Sequence, residues 1–312
     1  MKTVCVYHSV DLDGWMSAAI VKYWFETEKQ EVQPGIFLFR KDVDTLDFLG
    51  YNYGQPIPDL SGYDKVVMCD ISFPLEDMLA MNNQLIWIDH HKSAIDSYLD
   101  SHKAYYKGLR DTKFSACELT WKYFFPDEPM PEIVRLLGRY DCFGHKGTEE
   151  ETKVLEFQYG ARSVISNYEE AYEELHTSIT TADYSTQMIY EKGKSIYQYL
   201  CTEAKQSYKN GFEIIFDNIH YDKIGFAKDF KQYKFICINK ERFNPINFGI
   251  DYHKEGYDGA ACFHYANDLW HFSLYNDNGL VDCSVIAKQF GGGGHKGAAG
   301  FVLKDLSVLF KD

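Results

Sequence analysis

The chain has 312 residues, 45% hydrophobic and 25% charged, a composition that fits a folded globular protein long enough for two ordinary domains. Its net charge of −14 argues against tight nonspecific binding of long nucleic acid, which needs broad phosphate neutralisation. It leaves room for a short phosphate substrate, because bound divalent cations reverse the local sign.

No apolar stretch approaches the roughly eighteen residues of a membrane helix. The start, "MKTVCVYHSVD", turns polar at His8, too early for a signal-peptide core. The eight Cys are scattered without a CxxC pair, so the expectation is reduced thiols in a cytoplasmic protein. Cys5, Cys69, Cys142, Cys237, Cys262 and Cys283 read as small buried residues.

Along the chain, "TVCVYHS" reads as a strand and "GWMSAAIVKYWFETEK" as a helix with Trp15, Ala19 and Tyr23 on one face. "GIFLFR" and "YDKVVMCDIS" are strands, Pro74 opens a helix at "PLEDMLAMN", and "QLIWIDHH" is a further strand. "FSACELTWKYFF" and "PEIVRLLGRYD" are helical, and "TEEET" and "YEEAYEEL" read as surface charge. This alternation predicts an α/β fold with a doubly wound, mostly parallel sheet over 1–182. A long helix over 183–210 connects it to a second, smaller α/β domain, 211–312, across a cleft. There "FEIIFDN", "KFICIN", "GAACFHY" and "LWHFSLYN" are strands and "VDCSVIAKQF" is a helix ahead of "GGGGHKGAAG".

Three polar clusters fall where strands end: His8 with Asp11 and Asp13, Asp70 alone, and Asp89 with His90 and His91. In an open α/β sheet the ligand crevice lies at the carboxyl ends of the strands, so adjacent strands would gather these groups in one cleft. Asp141 closes a helical segment and can join them. Imidazole with several carboxylates suits Mn²⁺ and related ions, and there are ligands enough for two ions sharing one carboxylate. Blander readings stand beside this one. Asp11, Asp13 and Asp70 also suit helix capping, and His8 alone suits a satisfied strand end. "DLDG" is no calcium loop, because Met16 and Lys22 stand where Gly and Glu are needed.

In "GGGGHKGAAG" a GxGxxG match follows a helix instead of a strand, and no Ser or Thr follows Lys296. Neither dinucleotide fingerprint nor Walker loop fits. A flexible surface turn is one reading; a nest of backbone N–H groups for a phosphate or carboxylate, with His295 as an added donor, is the other.

Taken in order, "HSVDLDG", "CDIS", "WIDHH", "GRYD" and "GGGGHKGAAG" resemble the DHH phosphoesterase superfamily with a C-terminal DHH-associated domain, as in oligoribonucleases of very short RNA and related phosphodiesterases. The resemblance implies that His8 and Asp11 hold one metal ion, that Asp13, His90 and Asp141 hold another, and that Asp70 bridges them. It implies that Asp89 orients the site and His91 faces the scissile phosphate. Gly291, Gly292, Gly293, Gly294 and His295 would hold the substrate's other phosphate or terminal nucleotide. The family's substrate-binding Arg in a "SLRS"-like strand is replaced here by Tyr275 in "SLYND". Tyr275 then either stacks on a base or fills the sheet, with Arg242 a candidate for the missing charge.

The implied activity is two-metal hydrolysis of short oligonucleotides or related small nucleotides, with two Mn²⁺ ions and Mg²⁺ or Co²⁺ as further candidates. Pyrophosphate, polyphosphate, cyclic dinucleotides and 3′-phosphoadenosine nucleotides need the same metal pair. A non-catalytic nucleotide-binding module would be expected to lack a ligand position, and every position is filled. No long duplex nucleic acid or membrane is implied as a partner, and a homodimer is a candidate assembly.

Overall fold

The computed structural model describes residues 1–101, 106–221, 227–241 and 243–309. It divides into two compact units, Met1–Ile196 and Tyr197–Asp312. Among the described residues no helix is long and apolar enough to cross a membrane.

The first unit opens with β1 (Lys2–His8), α1 (Leu12–Thr27) and a hairpin of β2 (Lys29–Gln33) and β3 (Ile36–Phe39). Then come β4 (Thr45–Tyr51), β5 (Lys65–Cys69), α2 (Leu75–Met81), β6 (Leu85–Ile88) and α3 (Lys92–Ser101). Helices α4 (Ala116–Phe124), α5 (Glu132–Asp141), α6 (Glu151–Ala161) and α7 (Tyr168–Thr180) follow, and α8 (Tyr184–Lys209) runs past Ile196. The main sheet has the order β4-β1-β5-β6, and every pairing in it is parallel. Strands β1, β5 and β6 are short apolar runs buried on both faces, as parallel sheets require, while β4 at the edge is partly exposed. One face (Val4, Val6, Val66, Met68) meets Met78 of α2 and Ile95 of α3. The other (Cys5, Tyr7, Val67, Cys69) meets Ala18 and Val21 of α1 and Leu119 of α4. The sheet is therefore doubly wound, as its sequence predicts.

The chain leaves β1 toward β4 on one side and returns to β5 on the other. That reversal makes the β1/β5 junction the topological switch point, where such sheets bind ligands. "GIFLFR" does not join this sheet. It forms the two-stranded hairpin with β2, and Ile36, Phe37, Leu38 and Phe39 are all exposed. The edge strand is β4 instead, whose "TLDFLGY" alternates polar and apolar residues.

Gly14 lies in the first turn of α1. A Cβ there would sit 1.9 Å from the His8 carbonyl oxygen, so the helix packs directly on the end of β1 because this residue has no side chain. The need is for close approach, not for a sharp turn. Gly160 and Gly193 do the same between α6 and α8, where added Cβ atoms would meet the carbonyls of Ile189 and Glu156.

The second unit has β7 (Phe212–Tyr221), β8 (Ala227–Asn239), β9 (Gly259–Ala266), β10 (Leu269–Tyr275), α9 (Cys283–Gln289), β11 (Gly293–Gly294) and β12 (Ala298–Leu303). They form a six-stranded sheet in the order β11-β12-β10-β9-β8-β7, parallel only between β8 and β9. One face carries Ile214, Phe235, Phe272 and Phe301 against Ile286 and Ala287 of α9. All eight cysteines are free thiols. Cys142 is only half-buried, contrary to its reading, because it caps the end of α5; Cys117 in α4 is buried instead.

Candidate metal centre

His8 is the last residue of β1, Asp70 follows the last residue of β5, and Asp89, His90 and His91 follow β6. Tyr7 pairs with Cys69, so His8 and Asp70 leave neighbouring strands side by side. Asp70 turns with φ 61, a left-handed conformation uncommon for a residue with a side chain. Its N–H donates to the Ile88 carbonyl at 3.0 Å, which fixes the turn between β5 and β6.

The side chains then converge. His8 Nδ1 lies 3.0 Å from Asp11 Oδ2 and 3.4 Å from Asp70 Oδ2. His90 Nε2 lies 3.3 Å from Asp70 Oδ1, 3.3 Å from Asp141 Oδ2 and 3.7 Å from Asp13 Oδ2. Three ligand groups result: His8, Asp11 and Asp70; Asp13, His90 and Asp141; and Asp70, His90 and His91, each with its donor atoms within 4.8 Å of one another. Asp70 faces both of the first two, one oxygen toward each histidine.

The capping reading holds for Asp11, Asp13 caps a helix other than its own, and Asp70 sits in a left-handed turn five residues ahead of α2. Asp11 caps α1, accepting the Gly14 N–H at 3.0 Å through Oδ1, while its Oδ2 faces His8. Asp13, almost fully buried, accepts the N–H groups of Ala116 and Cys117 at 2.8 Å each and so caps α4. Asp89 is wholly buried and accepts from His90 N–H (2.7 Å), His91 N–H (3.0 Å) and Trp87 Nε1–H (3.1 Å). Its Oδ1 also lies 2.8 Å from His91 Nδ1. Since an ionised carboxylate only accepts, His91 carries its proton on Nδ1 and turns Nε2 away from Asp89.

Electrostatics mark the site as short of positive charge. Burial works against the imidazolium forms, but Asp11 and Asp70 outweigh it at His8, and Asp70, Asp13 and Asp141 outweigh it at His90, raising each to about 10. Asp70 is held down at about 2: burial opposes its charge, and His8 and His90 more than offset that. Asp13 is pushed up to about 6 by burial and then by the charge of Asp70. Removal from water, and next Asp13, push Asp141 well above the carboxylate range. Two carboxylates at such spacing repel by roughly 4 kcal/mol at an effective dielectric constant of about 20.

The donor set fits divalent ions. Buried His8 Nδ1 and Asp70 Oδ1 have near neighbours yet no aligned hydrogen-bond partner, which is costly for a buried polar atom unless something else satisfies it.

No sequence motif points to Tyr53, in the loop after β4. Its ring centroid is 6.1 Å from that of His8 and 6.2 Å from that of His91. Burial, and then the charge of Asp89, raise its hydroxyl to about 12.

In the second unit the glycine stretch is not an open nest. The N–H groups of Gly291, Gly292 and His295 donate to the carbonyls of Lys288, Ala287 and Ala298, and Gly293 and Gly294 pair with β12. Gly292 and Gly294 allow close contact, since an added Cβ would sit 2.1 Å from the Gly300 oxygen and 2.6 Å from the Ala299 Cα. The side chain of His295 is exposed. Tyr275 ends β10 half-buried, with its side chain reaching the buried Cys262 thiol, which favours the sheet-filling reading. Arg242 lies outside the described residues. Beside Gly291 and Gly292 is a groove of about 570 Å³, also lined by His264, His271 and Ser273. The two imidazoles stack there at 5.0 Å.

No family model matches the chain. An uncharacterized protein of Acanthamoeba polyphaga mimivirus is 26% identical over 321 residues, spanning 97% of this chain and 68% of that protein. A pGpG-specific phosphodiesterase from Vibrio cholerae superposes with a TM-score of 0.52 at 11% identity, covering 99% of this chain and 95% of that one. An exopolyphosphatase-related protein from Bacteroides fragilis does so with a TM-score of 0.50 at 14% identity, covering 97% and 87%. The chain therefore shares its fold with these two proteins.

Proposed function

We propose that the chain is a metal-dependent phosphodiesterase of short oligonucleotides or related small nucleotides, working with two Mn²⁺ ions. The observation that carries this is the pair of ligand groups meeting at Asp70. In this reading His8, Asp11 and Asp70 hold one ion, and Asp13, His90, Asp141 and Asp70 hold the other. Two ions bound there polarise the phosphoryl oxygens and lower the pKa of an attacking water.

The protein's own groups do the rest. Asp89 keeps the His91 proton on Nδ1 and fixes the ring. His91 then faces the scissile phosphate, where it steadies developing charge or passes a proton to the leaving oxygen. Asp11 and Asp13 hold ligands against helix ends, so little reorganisation accompanies the reaction. The likeness in fold to a pGpG-specific phosphodiesterase supports a nucleotide substrate. The exopolyphosphatase-related neighbour makes polyphosphate the competing class.

The test is product analysis after incubation with Mn²⁺ of di- to decanucleotides, pyrophosphate, polyphosphate and cyclic dinucleotides. Hydrolysis of the dinucleotide, lost in Asp70→Ala and His90→Ala, is the expected result. Turnover of pyrophosphate or polyphosphate alone would move the substrate class, and unchanged turnover in both variants would remove the metal assignment.

A further inference from the structure

The loop after β4 is tied down on both sides of Tyr53. Asn52 Oδ1 accepts the Ser9 N–H at 3.3 Å and its hydroxyl at 3.2 Å. The Asn52 N–H donates to Gln55 Oε1 at 3.0 Å, the Gln55 N–H returns to the Asn52 carbonyl at 3.2 Å, and Gly54 turns between them with φ 88. At the far end of the side chain, the hydroxyl and N–H of Ser72 reach the Tyr53 phenolic oxygen. Backbone and ring tip are both anchored, yet Tyr53 is 53% exposed. Tyr51, two residues earlier, is 5% exposed and packs on Phe73 at 4.7 Å. The sheet core therefore uses Tyr51 and leaves Tyr53 facing the cluster of His8 and His91, edge-on to the latter at 79°.

We propose that Tyr53 is a stacking platform for the nucleobase next to the phosphate held at the metal centre. The inference rests on the nucleotide reading above and makes it narrower. The groups its ring faces, His8 and His91 with Asp11, Asp70 and Asp89 beside them, are imidazoles and carboxylates suited to ions and phosphoryl oxygens. A rigid apolar plane adds nothing for pyrophosphate or polyphosphate, which have no planar group to lay on it. It suits a base of any sequence, because each base offers a π face. Anchoring at both ends means that little side-chain entropy remains to be lost on stacking.

The probe is a dinucleotide carrying 2-aminopurine, its bridging ester oxygen replaced by methylene so that it is not cleaved. Its fluorescence is titrated with the full chain in Mn²⁺. Stacking quenches 2-aminopurine, so wild type and Tyr53→Phe are expected to quench it with similar Kd. Tyr53→Ala and the bulkier Tyr53→Leu are expected to lose the quench and bind about tenfold more weakly, with thermal midpoints showing that both remain folded. Three results would overturn the platform: no quench by wild type, a quench that survives in both the Ala and Leu variants, or a loss in Tyr53→Phe as large as in Tyr53→Ala. Hydrolysis of the unmodified dinucleotide is measured in parallel. A wild type that quenches the probe but cleaves nothing removes the phosphodiesterase reading and leaves the platform standing. One that cleaves without quenching does the reverse.

Discussion

Asp13 and Ala116 meet across 103 positions of sequence, the carboxylate Oδ2 accepting the N–H at 2.8 Å. Oδ1 takes the next N–H, that of Cys117, so one side chain closes the first turn of α4 while facing His90. Asp13→Ala leaves these donors buried and open, which is expected to cost about 2–3 kcal/mol. The measurement is the thermal midpoint in chelator. Asp13→Asn keeps one acceptor and is expected to recover part of the stability but none of the ion affinity, read by calorimetric titration with Mn²⁺. An alanine variant as stable as wild type would show that the cap contributes nothing.

Gly14→Ala sets two effects against each other. Alanine is favoured over glycine inside a helix by about 1 kcal/mol. The added Cβ would lie 1.9 Å from the His8 carbonyl oxygen, a contact that backbone cannot yield cheaply. Overpacking of this kind costs about 1–3 kcal/mol or more, so the clash is expected to win. Denaturant midpoints should fall, and Mn²⁺ affinity should fall with them as His8 is displaced. A stabilised variant would show that α1 shifts freely on β1.

The strands that carry the site were legible because β1, β5 and β6 are apolar runs ended abruptly by ionisable residues. The edge strand β4 was not, since its apolar residues are interrupted by Thr45, Asp47 and Gly50, which face water. "YEEAYEEL" reads as bland surface, yet Ala171 and Leu175 of that stretch are fully buried in the cluster with Met16 and Ala19 of α1. Its acidic residues mask a narrow apolar stripe. Within the site, Asp11 could be read either as cap or as ligand, and its two oxygens allow both. The partnership of Asp13 with α4 has no local trace in the sequence. Nor does composition distinguish glycines that open a nest from glycines that let two strands touch, and at Gly291 and Gly292 the N–H groups already serve carbonyls of α9.

Stability without metal should fall as pH rises. His8 and His90 are raised from 6.5 to about 10 by the carboxylates around them. A raised base contributes stability that is complete below its unfolded pKa and is lost as pH climbs toward its folded value. The window is therefore about pH 6.5 to 10. Asp13, raised from 3.8 to about 6, adds a smaller loss below that window, with the same sign. A bound cation takes the place of the histidine protons. Thermal midpoints measured from about pH 6.5 to 9 are expected to decline in chelator and to stay level in saturating Mg²⁺. Parallel curves with and without the ion would remove His8 and His90 from the ligand set.

Asp89→Asn tests how His91 is held. The carboxylate is fully buried and accepts from two backbone N–H groups, the Trp87 indole and His91 Nδ1. A carboxamide has one oxygen to offer, and its NH₂ would face donors, so a loss of about 1–3 kcal/mol in stability is expected. The effect on chemistry separates from that loss through pH. Burial alone would lower His91; Asp89 and then Asp70 raise it instead. With the charge gone its pKa falls, so if the imidazolium is the working form the alkaline limb of activity moves to lower pH. Turnover of the dinucleotide below that limb should drop about 10–100-fold, because the ring loses its fixed orientation. A variant that loses stability but keeps both the rate and the position of the limb would leave Asp89 as a structural anchor and take His91 out of proton transfer.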